Sequence, residues 1–429
     1  MYLSDLIAGG MSSEAAVELL LNIVWTCLGA FLVFFMQAGF ALVETGFTSA
    51  KNAGNIPMKN LMDCVLGSIY FFILGFAIMI GKDAGGFIGT TGFFSTYGLA
   101  DADGMFHGIP IGVFMIFHTV FCATAATIVS GAMAERTKFS TYLIYSAAIS
   151  IFIYPVTGHW IWSDGWLSGI GFHDFAGSTA VHMVGGVCAF VGAAIVGPRI
   201  GKFDKNKKPQ AIPGHNIVIG ALGVFILWFC WFGFNCGSTT GAATNLGDIA
   251  MTTNLAAVVA TVTVLFITWF RYGKPDVSMT LNGTLAGLVA ITAGCDVVSP
   301  YAAMAIGLIA GFIVVIIVEL LDKVLKVDDP VGAVAVHCGC GAMGTILTGV
   351  FVKGSVLADW GMSRLQFFGI QVLGVVSVMA YVGVCAFILF TRLNKAIGLR
   401  VSAEEEVDGL DMHEHGMSAY ANFRLYDDR

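Results

Sequence analysis

The sequence predicts an all-α polytopic membrane protein. It has eleven transmembrane helices in two inverted five-helix repeats plus a final helix, with the N-terminus outside and the C-terminus cytoplasmic. Composition is the first of three observations behind that reading. Of 429 residues 57% are hydrophobic and only 11% charged, whereas a soluble domain carries about 25% charged residues. With mean hydropathy at +0.83, too few charges remain to cover a soluble particle. That excludes a water-soluble enzyme, a nucleic-acid binder and a disordered scaffold. The 54 glycines fit the same class, because small residues let helices approach closely inside a bilayer. The other two observations are the run of apolar stretches and a motif that occurs twice.

A spanning helix needs about 20 mostly apolar residues. Eleven stretches qualify: 19–43, 61–81, 110–132, 139–158, 174–197, 217–235, 253–270, 278–294, 302–321, 331–352 and 366–391. The first lacks a basic leader and an A-x-A-like site, so it reads as a retained helix. The halves run over about 19–197 and 217–352, and 366–391 is the eleventh helix. Residues 1–392 thus form a membrane domain and 393–429 a polar tail. Nine of the ten cysteines lie in apolar stretches and behave as small apolar groups; Cys295 sits in a loop. His337-Cys338-Gly339-Cys340 superficially suggests a metal cluster. Neighbouring helical residues point apart and no further ligand set accompanies them, so neither metal nor cofactor is expected.

Orientation follows from the basic residues. With the N-terminus outside, Lys51, Lys59, Arg136, Lys138, the run from Arg199 to Lys208, Arg271, Lys274, Lys323 and Lys326 fall inside. So do Arg392, Lys395, Arg400, Arg424 and Arg429 of the tail. Of 21 lysines and arginines, that leaves only Lys82, Lys353 and Arg364 outside. This is the segregation expected of cytoplasmic loops, and removing one span would reverse every later loop.

The fifth span begins Asp174-Phe175-Ala176-Gly177-Ser178-Thr179-Ala180-Val181-His182. The tenth begins Asp329-Pro330-Val331-Gly332-Ala333-Val334-Ala335-Val336-His337. Both read D-x-x-G-x-x-A-V-H, and an offset of five spans, an odd number, makes the second copy inverted, as in many transporters. Eight residues at about 1.5 Å each carry either histidine roughly 12 Å inward, near the middle of a hydrocarbon core about 30 Å thick. Two imidazoles meeting there form a proton relay, since histidine both accepts and donates. A single histidine in an apolar helix is more often a packing residue. Ionisable groups at paired midplane positions instead mark a pathway. Asp174 and Asp329 read mainly as helix-start caps; Asp174 could also orient groups at an outer mouth.

These residues resemble a known family. Asp174–Gly186 (DFAGSTAVHMVGG) looks like the signature of the ammonium transporter (Amt/Mep/Rh) family, in its microbial Amt branch. Gly131–Arg136 (GAMAER), Trp231–Ser238 (WFGFNCGS), Val327–Pro330 (VDDP) and the tail Glu404–Tyr420 extend the likeness along almost the whole chain. The resemblance implies an external ammonium site with Trp162, in the loop before the fifth span, as its aromatic wall. Ser238 would be the hydroxyl accepting a hydrogen bond from the cation, with Phe117 and Asp174 nearby. Phe121 and Phe234 resemble a stacked phenyl gate, and His182 and His337 the twin histidines of the pore. His118 departs from the glutamine common among relatives and leaves affinity and pH response open.

The chemistry is consistent with that likeness. Ammonium is a small cation that an aromatic box attracts through cation–π contacts, by about 2 kcal/mol or more when desolvated. A bare cation is costly in an apolar pore, whereas ammonium can shed a proton and pass as ammonia. Each aromatic taken singly is more often packing, and Trp162 could equally be an interfacial anchor.

The resemblance further implies a homotrimer in a cell membrane and a tail that contacts neighbouring subunits and a PII-type regulator. The acids Glu404, Glu405, Glu406, Asp408 and Asp411 also suit a solvated arm, with Lys202–Lys208 a nearby basic partner. The competing functions are an ammonium sensor on the same fold, a Rh-like gas channel, and a membrane enzyme. The enzyme would need a nucleophile–base pair or metal set that the sequence does not display.

Overall fold

The computed structural model describes residues 3–101 and 104–420; Arg424 and Arg429, counted above among the inner charges, lie outside them. Among the described residues ten helices are long and apolar enough to cross a membrane. They are α1 (Ser13–Phe47), α2 (Ala50–Ile80), α3 (Ile111–Ala132), α4 (Phe139–Gly169), α5 (Ser178–Val196), α6 (Ile217–Gly237), α7 (Leu246–Tyr272), α9 (Pro300–Leu325), α10 (Val334–Phe351) and α11 (Arg364–Ala396). Between α7 and α9 lies α8 (Val277–Ile291), apolar but only 15 residues long. At 1.5 Å per residue it extends about 22 Å, short of the span expected over 278–294. The chain is a multi-pass membrane protein.

Several boundaries differ from expectation. The helix α1 starts at Ser13, where the Ser12 hydroxyl accepts the Ala15 N–H at 3.2 Å. At the other end of the chain α11 runs on to Ala396, through the boundary expected at 392/393. Lys59, expected in an inner loop, lies on α2 and is fully buried. Trp162, expected in a loop, ends the helix Tyr154–Trp162. The helix runs past the expected end at 158 because the polar His159 is held by Met79 O at 2.8 Å and Asp83 Oδ1 at 2.9 Å. The connection from 81 to 110 adds two short hairpins, pairing Asp83 with Gly89 and Met105 with Pro110.

One face of α1 is buried at helical spacing through Val33, Met36, Phe40, Val43 and Phe47. The opposite side exposes Leu21, Val24, Leu28, Phe31 and Phe35, a surface suited to lipid or another apolar face and not to water. At the centre sits α3, buried at every residue from Phe117 to Ala132.

The repeated motif has one local geometry in both copies. The Asp174 carboxylate accepts the N–H groups of Gly177, Ser178, Thr179 and Ala180 at 2.8–3.0 Å. Asp329 accepts those of Ala333 and Val334 at 3.0 and 2.7 Å. Gly177 and Gly332 both take left-handed backbone conformations, φ +111° and +81°, where any other L-residue is strained. Each motif then enters a wide π-helical turn, Ser178–Met183 and Val334–Gly339, that carries its histidine. Four residues beyond each histidine a glycine admits the other helix. A Cβ on Gly186 would lie 2.2 Å from Cys338 N, and one on Gly341 2.5 Å from Ser178 O.

At the end carrying the basic loops, Arg199 ties the exit of α5 to the approach of α10. It donates to Asp328 at 2.8 Å and to Glu135 at 2.9 Å, while Arg136 donates to Asp328 O at 2.8 Å. Burial alone would raise both carboxyls. The guanidinium of Arg199 instead holds Glu135 below its usual value and, with Arg136, Asp328 at about 2. The tail folds back on this end. Asp411 accepts the N–H groups of Gly54 and Asn55 at 2.9 and 2.7 Å, and Lys51 Nζ donates to Glu406 O at 2.6 Å. Lys202 pairs with Asp322 at 3.0 Å; the tail acid Glu406 meets Arg400 at 2.7 Å instead.

Candidate functional site

The sequence-selected residues form a file of rings through the bundle. Trp162 is fixed by its indole N–H, which donates to Asp174 O at 2.7 Å. Its ring lies 6.1 Å from Phe121, edge to face, and 5.9 Å from His118. Phe117 sits 4.6 Å from Phe121 and packs over Gly237, beside Ser238. The Ser238 hydroxyl caps α6 by donating to Phe234 O at 2.8 Å, which leaves its oxygen free to accept. Phe121 and Phe234 stack at 4.1 Å, 23° apart, and are buried.

Below that stack come the imidazoles. Phe234 lies 5.2 Å from His182, and His182 5.2 Å from His337 at 22°. Their Nδ1 atoms are 3.2 Å apart, and His182 Nε2 is buried without a hydrogen-bond partner. Of two neutral rings so joined, one Nδ1 donates and the other accepts. Asp174, also expected near the mouth, has both carboxylate oxygens occupied by the helix start; its carbonyl is what touches the file. Asp329 does the same capping work below His337.

Three features escaped the sequence reading. Trp231 stacks on His182 at 4.9 Å and 17°, with its N–H donated to Thr292 Oγ1 at 2.9 Å. Its i,i+3 spacing from Phe234 within WFGFN was the available signal. A cavity of about 20 Å³ lies beside His337, lined also by Phe40, Glu44, Asn282 and Val331, and has room for about one water-sized molecule. Asn282, Val331 and Gly332 also line a chamber of about 520 Å³ bounded by Arg199, Lys202, Asp322 and Asp329. Cavities form between distant segments, so no local pattern announces them.

A multi-pass helical bundle threaded by a buried file of aromatic and imidazole rings has the build of a membrane transporter. The Ammonium Transporter Family profile matches residues 24–420. Ammonium transporter Amt2 of Archaeoglobus fulgidus is 48% identical over 431 residues, covering 95% of this chain and 89% of its own. Ammonium transporter Amt1 of Haloferax mediterranei is 40% identical, covering 94% and 80%. A solved structure described as Sensor Amt Protein superposes with TM-score 0.88 at 40% identity, covering 93% of this chain and 99% of that one. Candida albicans Mep2 gives TM-score 0.81 at 26% identity, covering 90% and 87%. The chain belongs to the Ammonium Transporter Family.

Proposed function

We propose that the protein moves ammonium across a cell membrane, taking the cation at an aromatic site and separating it into ammonia and a proton inside. The observation that carries this reading is the unbroken file Trp162, Phe121, Phe234, His182, His337 ending on a cavity of about 20 Å³. Trp162, Phe117 and Phe121 attract the cation through their faces, and Ser238 accepts one of its N–H groups. Phe121 and Phe234 close the path beneath. A cation cannot cross the dry ring stack cheaply, whereas neutral ammonia can.

The proton follows the imidazoles. With His182 protonated on Nδ1 and His337 on Nε2, a proton taken up by His182 Nε2 drives the Nδ1 proton onto His337 Nδ1. His337 Nε2 then releases its own. One transfer leaves both rings in the opposite tautomer, so the pair must reset before the next. Potassium has no proton to give up and stops at the phenyl pair. Asp174 and Asp329 act as positioning caps, Asp174 also through its hold on Trp162.

The proposed topology counts the short α8 as an eleventh crossing, with an inverted second half, the N-terminus outside and the tail cytoplasmic. The paired motif geometry of α5 and α10 supports the inversion. A homotrimer with one path per subunit, and a tail that receives a PII-type regulator, complete the proposal.

In proteoliposomes, a rapid ammonium jump should evoke a current that potassium does not. His182→Ala should abolish it or reduce it strongly. An unchanged current in that variant would refute the relay. The description of the solved relative as a sensor favours a second reading, ammonium binding without appreciable flux. That reading holds if the wild-type protein binds ammonium yet gives neither current nor ammonia permeation.

A further inference from the structure

Glu44 is a buried carboxyl group, 3% exposed, on the face of α1 that meets α2 and α3. One helical turn earlier, Phe40 lies 5.9 Å from the His337 ring. Both Glu44 and His337 line the cavity of about 20 Å³. Two groups hold the carboxylate by a single oxygen: Oε2 accepts from Ser130 Oγ at 2.7 Å and from Asn60 Nδ2 at 3.3 Å. Further charges stand behind it on α2. Lys59 Nζ is fully buried without a hydrogen-bond partner, and the Asp63 carboxylate accepts from the hydroxyls of Ser146, at 2.5 Å, and Tyr142. Ionisable groups buried in a membrane are expensive and gather where charge moves.

We infer that Glu44 is the inner proton acceptor of the relay. The proton leaving His337 Nε2 crosses one water in the shared cavity and binds the Glu44 carboxylate. It then passes to water in the chamber that shares Asn282, Val331 and Gly332 with that cavity. No bond other than O–H and N–H forms or breaks, and one proton enters and leaves Glu44 per cycle. Lys59 and Asp63 on α2 and His337 on α10 are the titratable groups around it. Lys59 is the cation among these three.

This inference rests on the relay reading above, and the test separates the two. Full-length wild type, Glu44→Gln, Glu44→Asp and His337→Ala are reconstituted in liposomes. Each is measured for ammonium-evoked current and, by stopped-flow pH change, for ammonia permeation. Gln keeps an acceptor oxygen for Ser130 and Asn60 but cannot take the proton. The ratio of current to permeation should fall at least fivefold in Glu44→Gln and recover in Glu44→Asp. A wild-type ratio in Glu44→Gln alongside a lowered one in His337→Ala overturns the role of Glu44 alone. Loss of current and permeation together, without change in their ratio, marks Glu44 as structural and also overturns it. A wild-type ratio in His337→Ala refutes the relay itself. Should Glu44→Gln fail to fold, Lys59→Met decides: with the neighbouring cation gone the ratio must change, and an unchanged ratio refutes the inference.

Discussion

Replacing Asp328 by Asn tests whether the ion pair at the basic-loop end holds the two histidine helices in register. Asp328 is fully buried, and Arg199 reaches it from the exit of α5 through three N–H groups at 2.8–3.0 Å. Burial opposes its charge, but Arg199 and Arg136 bring it from 3.8 to about 2. At about 1.36 kcal/mol per unit that difference is worth about 2 kcal/mol at neutral pH. Removing one partner of a buried pair can cost about 3–5 kcal/mol, since Arg199 keeps only Glu135, so the expected loss lies between about 2 and 5 kcal/mol. The sign with pH follows from the depressed value. The contribution is complete above about pH 5 and is lost progressively as pH falls through the folded value of about 2. Denaturant unfolding of the detergent-solubilised protein, followed by tryptophan fluorescence from pH 2 to 7, reads both quantities. Asp328→Asn should be less stable at pH 7 and should lack the part of the acid-dependent loss that wild type shows between pH 4 and 2. Equal stability at pH 7, or the same acid slope in both proteins, would refute the reasoning.

Further outcomes follow from other residues. Gly332→Ala should lose about 1–2 kcal/mol from its left-handed backbone, plus the displacement of Asn282, whose Nδ2 would lie 2.5 Å from the new Cβ. Gly273→Ala, at φ +78° with open space around it, should show the strain alone, so equal losses in denaturant unfolding would contradict the account. Phe234→Ala removes a fully buried ring and should cost about 3–5 kcal/mol while admitting potassium; a potassium-tight variant would remove the gate role. Ser238→Ala deletes an acceptor worth about 1 kcal/mol, so the half-saturating ammonium concentration should rise about fivefold with little change in maximal current.

Much of the site is legible because its residues sit in rigid local patterns. The D-x-x-G-x-x-A-V-H copies combine a capping carboxylate, a left-handed glycine and a histidine at fixed offsets, each demanded by local backbone chemistry. Phe117 and Phe121 are likewise neighbours along one helix face. Trp162 was misplaced because a helix end depends on partners far away: His159 is satisfied by Met79 and Asp83, so the helix continues. Lys59 was misread for the same reason, since its burial depends on α1 and α4 packing over α2.

Composition and pattern alone thus determined a multi-pass apolar bundle, the two motifs and their histidines. These features come from interactions within a few residues, or from the plain scarcity of charge. Tertiary structure decided which rings touch and in what order. It brought Nδ1 to Nδ1 at 3.2 Å across residues 155 apart in sequence, stacked Trp231 on His182, and set Glu44 against the cavity beside His337. Such contacts depend on helix separation and rotation, fixed where Gly186 and Gly341 let α5 and α10 close on each other. A linear pattern records which face a residue lies on, but not what the opposite face brings to meet it.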